Sequence, residues 1–570
     1  MFPTRPQPTK ADQRGAVLLL MLIIVVLGVT AALVGSLSTT ALKNARQEKT
    51  AAALAQAKEA LIGYAITYGD NHPVDLTKPR EPHGYLPCPD PNGTAGGSNP
   101  EGSSETCGDA ETNTLGRLPW RTLGLPITRD GTGECLWYAV SGTYKNNPKT
   151  ASTMNWDNTG KLKVYSADGN EISPDEIIAV VIAPGPVSTT NNPVQDRSGT
   201  SAPICGGNYN PAAYLDNDTL HNINNANITT EKFILPHEHR DANGNVTVSV
   251  NDQFVYITRQ DIWTAIQRRV ANEAKKCLDD YAATPVDTPG NKYPWAVSAS
   301  ASTVTSPLFG DEGGYNTTLF GRLPIRPNVQ ADRTPEVITT MPSKFDELWA
   351  ALATFASNKT SANLLTMKNK ASAAKKAAGD VKNDYKDTPL EDPADDLKDA
   401  ADDAKDDLTT SSSAAKIASI QKSIVDAANA FTTAMKLEFP PDSSMANDWP
   451  ASCKLLSSQQ WEHWKDLVFY QVADGFRPGS SAKCDSSCLS VEGSAHNAAG
   501  SGNYHAVVII AGKKLTPNRS TSNVGEYLEP DNLLPNADSA KPYQTYRITD
   551  AAYQTVNDLV LCLDGKVNCQ

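Results

Sequence analysis

Residues 14–42, RGAVLLLMLIIVVLGVTAALVGSLSTTAL, carry no charged residue after Arg14 and no proline. From Val17 to Leu27 every residue is Val, Leu, Ile or Met. The stretch is long enough to predict a transmembrane helix, and it exceeds the about 7–15 apolar residues of a secretory signal. Because Arg5, Lys10 and Arg14 precede it, the positive-inside rule predicts a cytoplasmic leader with the rest of the chain exported.

The helix is expected to continue as an amphipathic segment as far as Tyr68. Apolar residues recur there at three- and four-residue spacing, which is typical of a helix with one buried face. They are Ala45, Ala52, Ala53, Leu54, Ala57, Ala60, Leu61, Tyr64 and Tyr68. Pro73 prevents the helix from continuing.

Length, charge and cysteine content set broad limits. A chain of 570 residues exceeds one hydrophobic core, so we expect two or more domains. The net charge of −13 argues against nucleic-acid binding. Ten cysteines, all beyond the apolar segment, indicate disulfides of an exported protein. Their connectivity is not fixed by sequence; short loops favour Cys88–Cys107, Cys484–Cys488 and Cys562–Cys569, which leaves Cys135–Cys205 and Cys277–Cys453 as the simplest completion.

The junction Arg14-Gly15-Ala16 and the apolar helix after it resemble the leader of type IV pilins and type II secretion pseudopilins. The resemblance implies that a prepilin peptidase cuts between Gly15 and Ala16 and methylates the new amino terminus. It departs from the family in two ways, because Ala16 replaces the usual Phe or Met and Leu20 replaces the usual Glu. A subunit without that carboxylate is expected at a filament tip. Gly28 and Gly35 would allow close packing in the filament helix.

Three turn-rich segments also resemble pilin-like exported proteins. They are 84–90 (GYLPCPD), 115–120 (LGRLPW) and 131–140 (GTGECLWYAV). Proline- and glycine-fixed turns between short apolar stretches predict strands in an irregular antiparallel sheet.

The globular unit is predicted to occur twice. Five segments recur in the same order, which alternating strands alone would not produce. The pairs are 115–119 with 320–324, 136–140 with 468–472, 179–185 with 506–512, 214–216 with 527–529, and 251–255 with 557–560. The second copy is expected to begin with a helix capped by Thr258 and Asp261.

These patterns predict an α+β fold with a long transmembrane and amphipathic helix packed on a pilin-like antiparallel sheet, plus a duplicated α+β unit. The expected ranges are leader 1–15, helix 16–70 with its transmembrane part at 16–38, and first domain 71–261. The second domain comprises 262–334 and 440–570, interrupted by a helical bundle at 335–439 with an acidic face. Phe345–Phe355 and Ile417–Met435 mark two of its helices.

Candidate ligand sites are few. Asp241–Asn245 loosely resembles a calcium loop, but a hairpin turn explains it better; calcium at Asp216–Asp218 or in the acidic insertion is no better supported. His237-Glu238-His239 could present two imidazoles to zinc, but no third ligand stands at a recognisable spacing. We therefore expect no metal or other cofactor. If the chain does bind a metal ion, calcium is the candidate. No catalytic motif is present, and the chain is not expected to be an enzyme.

The function expected from this resemblance is that of a large minor pilin or pseudopilin, initiating or capping a filament. Expected partners are other subunits through the first helix, prepilin peptidase, the inner membrane, and a surface or secreted ligand of the head. The chain would sit as a single-pass inner-membrane protein with a periplasmic head before joining a pilus or pseudopilus. The alternative is an uncleaved, membrane-anchored adhesion or binding protein. The sequence does not choose between a type IV pilus and a type II secretion filament.

Overall fold

The computed structural model describes 13–72, 81–92, 100–150, 153–188, 194–283, 293–298, 308–309, 319–324, 340–438, 449–456, 458–477, 480, 488–492, 504–514, 519, 523–533, 545–547 and 557–563. Within the first helix, the side chains of 13–20, 22–24 and 26–39 lie outside the description. The described chain forms two compact units. The first comprises 1–65, 85–152 and 159–261, and the second comprises 66–84, 153–158 and 262–570.

The first unit is built on a six-stranded sheet. The elements of this unit, including two small hairpins, are α1 (Gln13–Asn71, whose last six residues belong to the second unit), β1 (Thr114–Arg117), β2 (Trp137–Val140), β3 (Leu162–Tyr165), β4 (Glu171–Ala183), β5 (Asn217–Asp218), β6 (Ile223–Asn224), β7 (Lys232–Ile234), β8 (His237–Arg240), β9 (Val246–Val250) and β10 (Gln253–Thr258). The order is β1-β2-β4-β3-β7, and β10 also pairs with β4. β3 and β7 run parallel while the other pairs are antiparallel, so the sheet is mixed.

The second half of α1 docks on the first unit. Its buried stripe is Leu54, Ala57, Leu61 and Ala65. Thr50 Oγ1 accepts the backbone N–H of Gly131 at 2.9 Å, and Tyr64 accepts the side-chain amide of Asn146 at 3.0 Å. By contrast, every residue from Thr40 to Lys49 is exposed. Side-chain burial therefore begins at Thr50, although the Gly131 loop already lies against the backbone of Arg46. Ahead of Thr50, the described side chains of α1 are exposed.

The second unit contains a five-stranded antiparallel sheet in the order β11-β12-β13-β15-β17. The elements of this unit are α2 (Arg259–Ala282, whose first three residues belong to the first unit), β11 (Val297–Ser298), β12 (Phe320–Arg322), α3 (Met341–Ser357), α4 (Ser361–Asp384), α5 (Glu391–Asp407), α6 (Ala414–Glu438), α7 (Gln459–Trp464), β13 (Val468–Val472), β14 (Ser490–Glu492), β15 (Ala506–Ile510), α8 (Pro530–Leu533), β16 (Thr545–Arg547) and β17 (Leu559–Leu563). A capping box starts α2, because Thr258 and Asp261 bond to each other's backbone N–H.

Four strands of the two sheets correspond residue by residue. In the first sheet Gly116 faces Tyr138, Tyr138 faces Val181, and Val181 faces Val255. In the second, the same positions are taken by Gly321, Tyr470, Val508 and Leu561, again as successive neighbours. Three of these positions fall within the sequence pairs that suggested a repeat, and Leu561 lies one residue beyond the pair 251–255 with 557–560. The strand order β1-β2-β4-β10 is thus repeated as β12-β13-β15-β17.

Helices α3 to α6 form a bundle inside the second unit. The sequence indicated two helices joined by Ala-, Lys- and Asp-rich sequence, but that connection itself folds into α4 and α5. Alanines make most of their buried faces, including Ala371, Ala378 and Ala401. Ion pairs such as Lys375–Asp402 and Lys382–Asp395, each at 2.6 Å, join the two helices outside the core.

Two expectations are wrong. Among the described residues, no helix is long and apolar enough to cross a membrane, which overturns the predicted single-pass inner-membrane location. The described α1 side chains from Thr40 onward include Lys43, Arg46 and Lys49, so the helix there is amphipathic. The predicted fold class is also wrong. The first sheet is mixed because β3 and β7 are parallel, so the chain does not form the expected pilin-like fold of a long apolar helix packed on an antiparallel sheet.

Candidate functional site

A pair of buried carboxyl groups lies beside β10 in the first unit. Asp216 Oδ2 accepts backbone N–H groups of Asn251 at 2.5 Å and Asp252 at 3.2 Å. In return, Asp252 Oδ2 accepts the N–H of Asp216 at 2.7 Å and the side-chain amide of Asn225 at 3.0 Å. Burial raises the pKa of Asp216 to about 6. Burial, and then the charge of Asp216, raise the pKa of Asp252 well above its ordinary value.

Two arginines flank Tyr214 close to this pair. The guanidinium carbons of Arg117 and Arg197 lie 4.9 and 5.1 Å from the Tyr214 ring centre. Arg117 donates to the carbonyl of Asn208 at 2.8 Å, and Arg197 to that of Gly185 at 2.8 Å. The arginines therefore fasten loops to the sheet through backbone carbonyls.

The second unit repeats this cluster at the corresponding positions. Arg322 and Arg519 lie 5.3 and 4.9 Å from the Tyr527 ring centre, and Arg519 donates to the carbonyl of Gly512 at 2.7 Å. Asp558 Oδ2 accepts the N–H of Glu529 at 3.1 Å. Burial and a hydrogen bond with Glu529 raise the pKa of Asp558 well above its ordinary value.

The repeated clusters are suited to holding the fold rather than to chemistry on a ligand. Several of their polar atoms bond to backbone groups of their own unit, as in the contacts with the carbonyls of Asn208, Gly185 and Gly512. Polar groups satisfied in this way favour one loop arrangement. Gly185 and Gly512 approach the clusters so closely that a Cβ there would lie 2.6 Å from Asn251 Oδ1 and 2.2 Å from Asn557 Oδ1.

A second cluster in the first unit, formed by Asp218, His221 and His237, has the chemistry of a metal site. One ligand atom from each residue lies within 4.8 Å of the others. Asp218 Oδ2 is 2.6 Å from His221 Nδ1 and 3.5 Å from His237 Nε2. The Asp218 side chain is fully buried, that of His237 is 9% exposed, and that of His221 is 23% exposed.

Local structure positions each of the three. Asp218 ends β5, and its Oδ1 accepts the N–H of Leu220 at 2.8 Å, which fixes the carboxylate. His221 lies in the loop between β5 and β6, just before Asn222, whose φ of 56° is left-handed. The His221 ring lies against Gly169, where a Cβ would come within 2.4 Å of the imidazole Cδ2. His237 opens β8, and its Nδ1 lies 3.0 Å from the carbonyl oxygen of Leu235.

Of the sequence motif His237-Glu238-His239, only one histidine belongs to the cluster. His237 belongs to the cluster, whereas His239 is exposed and outside it. The other two residues of the cluster, Asp218 and His221, come from the β5–β6 hairpin upstream of the motif. In the sequence, the only indication of these two residues was that Asp218 and His221 stand three residues apart, next to the Asp216–Asp218 turn that was considered for calcium.

The loop Asp241–Asn245, also considered for calcium, uses its carboxylate to form a hairpin turn. Asp241 Oδ1 accepts the N–H groups of Asn243 and Asn245, each at 2.8 Å, and Gly244 takes a φ of 83°. The carboxylate thereby closes the β8–β9 hairpin, as a turn interpretation predicts.

The structure forms the expected disulfides Cys88–Cys107, Cys135–Cys205 and Cys277–Cys453. Cys488 and Cys562 are also disulfide-bonded. Their expected partners, Cys484 and Cys569, lie outside the described residues.

The leader and filament-helix positions are placed only by their backbone. Gly15, Ala16, Leu20, Gly28 and Gly35 all belong to α1, and their surroundings lie outside the described residues. Their predicted roles in processing and packing stay predictions.

No family model matches this chain, and neither the curated proteins nor the solved structures compared with it gave a match.

Proposed function

We propose that the chain is a structural subunit of a filamentous assembly, joined to other subunits through the first half of α1. Its two units would form a head that binds a further partner at or near the filament tip. The observation that carries the proposal is the exposure of the described α1 side chains ahead of Thr50, namely Met21, Val25 and 40–49. It rests on the described residues of that helix together with their sequence.

The first half of α1 presents large apolar side chains to solvent. Met21 is 66% exposed, Val25 60% and Leu42 57%. At 100° per residue the three fall within about 100° of the helix circumference, so they share one face. An exposed apolar face of this kind marks an interaction surface, and α1 places it ahead of the docked half that begins at Thr50.

The length and composition of this half favour helical partners. From Gln13 to Lys49 the helix is about 55 Å long at 1.5 Å per residue. Gly28, Gly35 and nearby Ala and Ser residues would let another helix approach closely. The resemblance of Arg14-Gly15-Ala16 to a prepilin leader supports processing before assembly. Leu20, in place of the family's Glu, supports a position at the tip rather than repeated incorporation.

Mass spectrometry of the mature amino terminus tests this function. We expect a chain that begins at Ala16 with one added methyl group on its terminal nitrogen. A Gly15→Ala variant should retain residues 1–15, whereas Gly63→Ala, on the docked half of the same helix, should be processed normally. An intact leader on the natural chain would contradict the proposal and favour a binding protein that does not assemble.

A further inference from the structure

We propose that Asp218, His221 and His237 bind a divalent transition metal, with Zn²⁺ as the best fit. This site goes beyond the proposed assembly function and does not depend on it.

The first argument concerns the hydrogen on His237. A carbonyl oxygen only accepts hydrogen bonds, so the 3.0 Å contact with Leu235 places the imidazole hydrogen on Nδ1. The lone pair of neutral Nε2 then points into the cluster. This atom is buried and has no hydrogen-bond partner, and it faces a carboxylate oxygen at 3.5 Å. Two acceptors that face each other in a buried position are satisfied by a positive charge between them, which a bound metal ion supplies and which a proton on Nε2 would also supply.

The spacing of the ligand atoms fits a tetrahedral ion. Zinc bonds of 2.0–2.1 Å place neighbouring ligand atoms about 3.3 Å apart in that geometry. The Asp218–His237 separation of 3.5 Å is close to this value. The Asp218–His221 separation of 2.6 Å is that of a hydrogen bond. A metal would take the place of the hydrogen between these two atoms. A neutral His221 would then carry its hydrogen on Nε2 instead of Nδ1, whereas a protonated His221 would release one proton to solvent.

The surroundings resemble those that support a metal. Nδ1–H of His237 bonds to a backbone carbonyl, and the second oxygen of Asp218 bonds to the N–H of Leu220. Outer contacts of these two kinds orient ligands and maintain their basicity. Two imidazoles and one carboxylate suit zinc, which leaves a fourth position for water. Calcium requires six to eight oxygen ligands, which this set does not supply.

Zinc binding by the full-length chain tests the site. After removal of metals with a chelator, we expect the natural protein to bind one Zn²⁺ at this site in a competition assay with a zinc-sensitive dye. His237→Ala should weaken that binding by about 100-fold or more, which is at least the loss expected from disturbing outer contacts alone. The matched control is His239→Ala, because His239 lies on the same strand but is exposed; it should leave the affinity unchanged.

A cobalt spectrum keeps the test decisive if His237→Ala fails to fold. Four-coordinate Co²⁺ in the natural protein should absorb strongly in the visible range, and His221→Ala, which alters a partly exposed loop residue, should abolish the band. Binding that is absent, or that is equally strong in His221→Ala, His237→Ala and the natural protein, overturns the proposal. A protonated imidazole would then be the cation beside Asp218.

A glycine pair tests the positioning of His221 without removing a ligand. Gly169→Ala introduces a Cβ 2.4 Å from the imidazole, whereas Gly244→Ala meets no atom within 4 Å. Because both glycines have similar φ values, 77° and 83°, backbone strain is matched. We expect weaker zinc binding only in Gly169→Ala. Equal zinc affinity in the two variants would show that His221 is not a ligand.

Discussion

The docking of α1 on the first unit predicts the effect of Gly131→Ala. The loop containing Gly131 lies directly on the helix backbone. An added Cβ would lie 2.1 Å from the Arg46 carbonyl oxygen, where real Cβ atoms stay beyond 3.0 Å. The loop must therefore retreat by about 0.9 Å, since the atom it meets is backbone rather than a flexible side chain.

The cost has two parts. The retreat breaks the 2.9 Å hydrogen bond from Gly131 N–H to Thr50 Oγ1, which contributes about 1 kcal/mol. Overpacking at a rigid contact adds about 1–3 kcal/mol. Undocking of the helix should therefore become about 2–4 kcal/mol easier, or roughly 30- to 800-fold more frequent.

Hydrogen exchange measured by mass spectrometry reports this local equilibrium. Amides between Thr50 and Ala65 should exchange faster in Gly131→Ala by the factor given above. In Thr50→Val, exchange should be faster only by the factor that corresponds to loss of the hydrogen bond, about 1 kcal/mol. Gly63→Ala is the control, because its Cβ meets no atom within 4 Å; it should stabilise the helix by about 0.5–1 kcal/mol. Unchanged exchange in Gly131→Ala would refute the docking geometry.

Two further predictions concern stability. The pKa values of Asp216 and Asp252 are raised in the folded state, so the folded state holds their protons more tightly than the unfolded state. The unfolding free energy of the first unit should therefore fall as pH rises from about 4 to 6, by up to about 1.4 kcal/mol per pH unit for each group. Asp252→Asn keeps the acceptor for Asp216 N–H, so in urea titrations it should flatten this dependence; an unchanged slope would contradict the raised pKa values. In the bundle, fully buried Leu352→Ala should cost about 2–5 kcal/mol in thermal unfolding. Leu365→Ala, 61% exposed, should cost less than about 0.5 kcal/mol, and equal losses would refute the assigned core.

Features with local signals could be predicted from sequence. The capping box at Thr258 depends on residues three apart, and the Cys88–Cys107 disulfide follows from its short loop. The pairs Cys135–Cys205 and Cys277–Cys453 were only the cysteines left over. The repeat was visible because corresponding strands keep both order and flanking residues. Its polar clusters were hidden, since Arg117 and Tyr214 are far apart in sequence and meet only after the sheet forms.

Other features depend on tertiary contacts that no short pattern encodes. Parallel pairing of β3 with β7 brings together segments about 70 residues apart. Helices α4 and α5 were not marked individually within the predicted bundle because alanine gives a weak apolar signal, although it packs closely and favours helices. The metal cluster was missed because His237 receives its partners from another hairpin rather than from His239. The membrane span was predicted from the apolar run at 16–38, whereas no helix among the described residues is long and apolar enough to cross a membrane.

Site-specific photo-crosslinking tests the central claim, that the first half of α1 joins other subunits. A benzophenone amino acid would replace Val25, which is 60% exposed on the first half of α1, or Leu365, which is 61% exposed in the bundle. In native cells we expect crosslinks to other filament subunits from position 25 and few from position 365. Equal yields at the two positions, or none at position 25, would contradict the account.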